Sequence, residues 1–414
     1  MQLNITPRRF HVIVTSIVLL NIFFLAGTSI HHVYGDKIGG ILGFILLQLD
    51  LAFENVLSAW YSSMLLFLVA IVCILCFTID SKRFKKKVDS YINFGWIILS
   101  LVFATLSLDE LGSFHETIGD TSLFEIFGRT EGWEVFYILI MIVGGFMILF
   151  SWVRLRRVPL ATVFMILGAL LLLSNPLQEN FEIETMQNSA NPLQWRRPVI
   201  FLLLEEGSEI FATLCFLVSM LLYYKFATKK AALNDVSFNT TKPVNTSKAS
   251  LFKQCIFFIV IMAVVMTLID IYVQREPNND VGIPGNWFPS IMSFISFCGS
   301  FFLFRNESSN KRLFLVMSFF SIALSAYCGS DLYEHSFNEM LSVEKVFNVM
   351  IAIFALVIGY FFYRNQKSNL GKACTFVFAF CIAAAFLLPE YVRPELLFVG
   401  FSFYLLLLSF DIAE

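Results

Sequence analysis

Apolar positions in this chain come in unbroken runs of about twenty residues, separated by short polar stretches. Wound as a helix at about 1.5 Å per residue, such a run matches the ~30 Å hydrocarbon core of a bilayer. Twelve runs can be read, at 10–30, 55–79, 94–117, 133–152, 159–175, 197–224, 252–273, 288–304, 313–334, 344–363, 373–389 and 394–410. None shows the alternation of a barrel strand. The pattern predicts an all-α, polytopic integral membrane protein with about 12 transmembrane helices. The stretch 38–53 is apolar but short and Gly-rich, and reads as an interfacial or re-entrant segment.

The polar stretches give the runs a direction. With both termini cytoplasmic, alternate loops hold Arg8 and Arg9, Lys82 to Lys87, Arg154 to Arg157, Lys225 to Lys253, Arg305 to Arg312 and Arg364 to Lys372, together 22 of the 29 Lys and Arg. That is a strong positive-inside bias. Of the acids, only Asp80, Asp89, Asp235, Glu307, Asp411 and Glu414 fall on that side. The first run follows Pro7-Arg8-Arg9 with no small-residue cleavage site before His31, so it reads as a retained anchor.

Composition agrees with the pattern. Of 414 residues, 57% are hydrophobic and 14% charged, which leaves no surface for a sizeable soluble domain. A formal charge of −2 supplies no basic footprint, excluding nucleic acid as a partner. Membrane lipids are the expected surroundings. Cys73 and Cys76 form a C-x-x-C in mid-run, best read as buried packing. No nucleotide loop, dinucleotide fingerprint, haem or flavin motif, G-x-S-x-G or H-E-x-x-H is present.

The polar segment 225–250 divides the runs into an N-terminal half, 1–224, and a C-terminal half, 251–414, each with six runs. An even number per half predicts parallel repeats. Local echoes support this: Leu106-Ser107 and Gly112-Ser113 against Leu324-Ser325 and Gly329-Ser330, and Arg197-Pro198 against Arg393-Pro394.

Ionisable residues inside apolar runs mark candidate chemistry, because each costs several kcal/mol in hydrocarbon unless paired, hydrated or bound to a cation. The third run ends Leu108-Asp109-Glu110-Leu-Gly-Ser113-Phe-His115-Glu116, with Asp109, Ser113 and Glu116 on one helical face. The sixth contains Glu205-Glu206-Gly-Ser-Glu209; Glu205 lies about 13 Å and Glu209 about 20 Å along the axis from Arg196. These acids repel one another if ionised, and no Lys or Arg is expected at their depth, so protonation or a bound metal is favoured over salt bridges. The ninth run ends Asp331-Leu-Tyr-Glu334-His335, a possible ligand or proton-relay face. His31 and Glu54 are secondary candidates on the same outer side, ahead of His32, Asp50, Glu179, Glu182, Glu184 and Asp270.

The run Leu106 to Glu116, with Glu54-Asn-Val-Leu-Ser-Ala-Trp-Tyr-Ser-Ser63 before it and Leu204 to Glu209 after it, resembles a pattern of bacterial polytopic membrane proteins without assigned activity. That resemblance covers the first six runs and implies the bacterial inner membrane. The grouping of Ser, Asp and His near one face is similar in chemistry to the alkaline-ceramidase-like membrane hydrolases, whose zinc is held by such residues. The match departs from them: Ser113 and His115 are two apart rather than four, and no late H-x-x-x-H is present. The 6+6 layout resembles the major facilitator superfamily, without its loop motif in Asp80 to Lys87.

Three functions are compatible with these residues. One is a metal-dependent membrane enzyme, of hydrolase type, acting on a lipid or lipid-linked substrate. There Asp109, His115, Glu116, Glu205 and Glu209 would hold a divalent ion such as Mn, Fe, Mg or Ca, with Glu110 and Glu206 as catalytic carboxylates. The second is a proton- or cation-coupled transporter of a small molecule, using Glu205, Glu206 and Glu209. The scarcity of ionisable groups in the inner halves of the runs weighs against it. The third is a non-catalytic membrane subunit.

Overall fold

The computed structural model describes residues 7–53, 56–83, 87–112, 133–187, 197–237, 287–306, 311–329, 341–365 and 369–387, with the short pieces 396–397, 400–401 and 404–405. Every regular element among them is helical. Among the described residues, four helices are long and apolar enough to cross a membrane: Pro7–Tyr34, Leu57–Ser81, Ile92–Leu111 and Val199–Lys230. The chain divides into two compact units, Met1–Lys242 and Pro243–Glu414.

The first unit opens with α1 (Pro7–Tyr34), a 3-10 turn (Gly35–Lys37) and α2 (Gly40–Gln48). The nine residues of α2 rise only about 14 Å, too short for a bilayer. It starts at Gly40, whose φ of 67° is a left-handed conformation that suits glycine. Next, α3 (Leu57–Arg83) and α4 (Lys87–Gly112) pack along each other in antiparallel sense. The start of α3 meets the end of α4 at Ser63 and Ser107, and the opposite ends meet at Asp80 and Trp96. Then α5 (Trp133–Phe150) runs into a π-helical turn (Ser151–Leu155). Pro159 opens α6 (Pro159–Gln187) at a position where its missing N–H is no loss, and α7 (Val199–Ser237) closes the unit.

Two boundaries differ from the sequence expectation. The apolar run 159–175 stops before Pro176, yet α6 passes through it to Gln187. Glu179, Glu182 and Glu184 are therefore helical and not in a loop. A proline inside a helix leaves one carbonyl four residues back without its donor, a loss that polar neighbours in a bundle can absorb. The Ser174 hydroxyl turns back onto the Leu171 carbonyl at this turn, 2.6 Å away. Likewise α7 continues to Ser237, so the expected linker 225–250 begins as helix. Its residues 225–235 are rich in Lys and Ala, good helix formers, with no Gly or Pro.

The core of this unit joins Val69 and Cys73 of α3, Trp96 and Phe103 of α4, Met165 of α6, and Phe216 and Met220 of α7. Cys76 belongs to it as well. Gly168 lets α6 and α7 approach, because a Cβ there would lie 2.6 Å from the Phe216 ring. A smaller cluster of Phe24, Leu51 and Ile210 seats α1 and the α2–α3 loop on α7.

The second unit contains α8 (Trp287–Asn306), α9 (Lys311–Gly329), α10 (Leu341–Asn365) and α11 (Asn369–Leu387) around Met317, Ala355, Phe378, Phe401 and Tyr404. Several of its buried serines return to their own helices, Ser296 to the Met292 carbonyl and Ser300 to that of Ser296, whereas the buried Ser321 hydroxyl has no hydrogen-bond partner among the described residues. Two contacts of the first unit have internal counterparts here. Ser63 donates to the Ser107 carbonyl at 2.6 Å, with the hydroxyls 3.0 Å apart; Ser290 likewise donates to the Ser325 carbonyl at 2.9 Å, where Ser325 also donates back to the Ser290 carbonyl at 2.7 Å, hydroxyls 3.2 Å apart. The edge-on pair Trp96–Phe150 has a counterpart in Phe314–Phe362.

Candidate functional site

Polar side chains of the first unit gather at two ends. The first group surrounds the start of α7. Arg197, two residues ahead of the helix, holds Glu182 of α6 through both carboxylate oxygens, at 2.8 and 2.9 Å, and also pairs with Glu205. This corrects the expectation that no base lies at the depth of the acids: the long arginine side chain reaches down from the helix start. One turn deeper, Asn175 donates to Glu209 at 2.6 Å and accepts from Ser208 at 2.5 Å. Gln178 donates to Ser174 at 2.8 Å and reaches Ser208 at 3.4 Å. The α7 acids thus have different neighbours, Glu205 an arginine and Glu209 an amide.

Glu206 is placed differently. The charges acting on it are those of Glu209, of Glu110 at the end of α4, of Arg197, and of Asp50 in the loop after α2. Three of these four are acidic. Asp50 is almost completely buried, 1% exposed, and its carboxylate lies 2.6 Å from Nδ1 of His31. Asn21 of α1 donates to the Ile210 carbonyl at 3.2 Å and accepts from Tyr61 at 2.7 Å, which ties α1, α3 and α7 together beside these residues.

The expected residues divide as follows. Asp109 and Glu110 are half-buried on the last turn of α4, and Glu205, Glu206 and Glu209 are half-buried on α7. Glu54, His115, Glu116, Asp331, Glu334 and His335 lie outside the described residues. Among the described residues no three His, Cys, Asp or Glu side chains converge as a metal-holding group.

The second group, at the opposite ends of α3 and α7, was missed by sequence reasoning. Asp80 is fully buried, and its Oδ2 accepts from Trp96 Nε1 at 2.9 Å, Tyr223 OH at 2.7 Å and Arg154 Nε at 2.9 Å. Arg154 also donates to Asn93 and sits in the π-helical turn, an irregularity frequent at functional sites. Among the described residues, Oδ1 of Asp80 has no hydrogen-bond partner. The available signal was an acid at the end of an apolar run where only Lys and Arg are expected, directly before Lys82 to Lys87. Along α7 the two groups are about 25 Å apart, counted from Glu206 to Tyr223 at about 1.5 Å per residue. The apolar side chains of Val69, Cys73, Phe216, Leu217 and Met220 fill the space between.

No curated protein and no solved structure matches the chain. A family match covers residues 16–224, half the chain and all the residues of both polar groups, and by it the protein belongs to the family described as Domain of unknown function (DUF8692).

Proposed function

We propose that the protein is a proton- or cation-coupled transporter of a small solute in the bacterial inner membrane, with 12 spans in two parallel six-helix halves and both termini cytoplasmic. Glu206 binds the coupling proton or cation on the extracytoplasmic side. The observation that carries this reading is the pair of buried polar groups at opposite ends of the same α3–α7 packing, Glu206 with its acidic neighbours at one end and Asp80 with Arg154 at the other. Alternating access needs such a site and a closure on the far side, separated by a packed apolar plug. The Asp80–Arg154 network also removes the main objection from sequence, the scarcity of ionisable groups toward the cytoplasmic ends.

The excess of carboxylates argues for a mobile cation. Arg197 is occupied by Glu182 and Glu205, so Glu206 shares its surroundings with Glu110, Glu209 and Asp50 without a base of its own. In a low dielectric such a group is stabilised by taking up a positive charge. The second half supports the assignment by contrast. Eight residues after Arg393, where Glu205 follows Arg197, stands fully buried Phe401; the position matching Glu209 is Leu405. Helix packing alone does not require the acids.

The test is proton movement in vesicles holding the purified full chain, followed with an entrapped pH dye while a panel of small solutes is applied across a pH gradient. A solute-dependent proton flux that Glu206→Gln abolishes is the expected outcome. Stoichiometric divalent metal in the wild-type protein, lost in Glu206→Gln and without any such flux, overturns transport and points to the metal-dependent membrane enzyme acting on a lipid or lipid-linked substrate.

A further inference from the structure

Between α6 and α7 lies a set of oxygen atoms that the pairing of the acids does not account for. Ser174, Asn175 and Gln178 fall within about 100° of arc on α6, and all three touch the buried Ser208 of α7 or one another. Each serine hydrogen has a main-chain carbonyl to go to: Ser174 donates to that of Leu171 at 2.6 Å and Ser208 to that of Glu205 at 2.8 Å. With the hydrogens so placed, both hydroxyl oxygens keep lone pairs for a further partner. Asn175 adds a third oxygen, its Oδ1, 2.5 Å from the Ser208 hydroxyl. Pro176 stands in the same turn and leaves the Leu172 carbonyl without its helical N–H, so α6 is less tightly held beside these side chains.

A nitrogen bridges the two serines. Gln178 Nε2 donates to Ser174 at 2.8 Å and reaches Ser208 at 3.4 Å. The other end of that amide is left unsatisfied: Gln178 Oε1 is shut off from solvent and has no hydrogen-bond partner among the described residues. A buried acceptor without a donor is a loss that a protein avoids where it can. Turning the amide half over exchanges its two ends and sets Oε1 beside the Ser174 and Ser208 oxygens, with Asn175 Oδ1 next to them. Oxygens gathered in this way repel unless a positive charge lies among them, and a cation there satisfies all four at once.

We infer that Ser174, Asn175, Gln178 and Ser208 form a sodium site between α6 and α7, separate from Glu206; its role, an ion carried along with the solute, rests on the transporter reading above. Four neutral oxygens suit a monovalent ion, whereas calcium and magnesium are held through carboxylates. Oxygens this close together fit sodium better than the larger potassium ion. Glu209 balances the charge at one remove, through the Asn175 amide that donates to it at 2.6 Å. That hydrogen bond also keeps Asn175 Oδ1 turned toward Ser208. Sodium bound here holds α6 to α7 in place of the bridge from Gln178.

The test is equilibrium binding of radioactive sodium to the purified full chain in lipid nanodiscs, with choline as the background cation. Saturable binding is expected in the wild type and in Glu206→Gln. Gln178→Leu and Asn175→Ala should each raise the half-saturating sodium concentration about tenfold, the low end of the loss when a group that orders a bound metal is removed. Either variant decides the matter if the other fails to fold. No saturable binding in the wild type, an unchanged affinity in a folded Gln178→Leu or Asn175→Ala, or loss of binding in Glu206→Gln overturns the site. A solute-dependent proton flux that needs Glu206, without sodium binding, overturns the sodium site and leaves the transporter reading intact. The expected binding pattern without any solute-dependent flux upholds the site and overturns that reading.

Discussion

Removing one partner of the Asp80–Arg154 pair leaves a charge enclosed by Trp96, Tyr223 and Asn93 with nothing to balance it. Asp80→Asn and Arg154→Gln should each destabilise the protein by about 3–5 kcal/mol, the scale for one orphaned member of a buried pair. The double replacement Asp80→Asn with Arg154→Gln should cost clearly less than the two single changes added together. Thermal unfolding in detergent measures both; additive losses would show that the two side chains do not depend on one another. The acids of α7 obey different rules from their neighbours although they are close in sequence. Glu205 has a guanidinium and Glu209 an amide, and Glu206 is left with mostly negative company. Their presence in an apolar run was plain from the sequence, but which of them is neutralised by protein depends on where Arg197 and Asn175 arrive. The first comes from ahead of the helix and the second is the last residue of the apolar run 159–175, on a helix that continues through Pro176 to Gln187.

At the scale of elements, the helices of the first unit touch through small residues as much as through large ones. Gly168→Ala should cost on the order of 1–3 kcal/mol, because the added methyl must displace the Phe216 ring or the helix that carries it. Gly145→Ala is the matched control: nothing lies within 4 Å of its Cβ position, so helix propensity alone should leave it neutral or more stable by up to about 1 kcal/mol. Comparable losses at both positions in thermal unfolding would show that the α6–α7 contact is not close-packed. The positions of the long helices were legible as runs of apolar residues. Their ends were not: α6 crosses Pro176 and α7 continues to Ser237, since a proline or a polar residue stops a helix only where no neighbour compensates.

At the scale of the whole molecule, the arrangement of basic loops predicts which side each connection occupies. In spheroplasts of the expressing bacterium, a cysteine replacing Lys37 should react with a membrane-impermeant thiol reagent, and one replacing Lys242 should react only after the membrane is opened. The reverse pattern would invert the orientation and move Glu206 to the cytoplasmic side. The repeated serine contact, Ser63 with Ser107 and Ser290 with Ser325, shows what a short echo such as Leu106-Ser107 and Leu324-Ser325 can encode: the register of one helix on another, read twice along one chain. Hydrophobic run length sufficed, from sequence alone, for helix as the only regular secondary structure among the described residues and for the presence of carboxylates in apolar runs. It sufficed because bilayer thickness and the expense of moving charge are constraints on a single segment. Partnership is a property of two segments. Asp80 and Arg154 are 74 residues apart, Asn175 and Glu209 are 34 apart, and only the packing of α3, α6 and α7 with the π-helical turn brings each pair within hydrogen-bond distance.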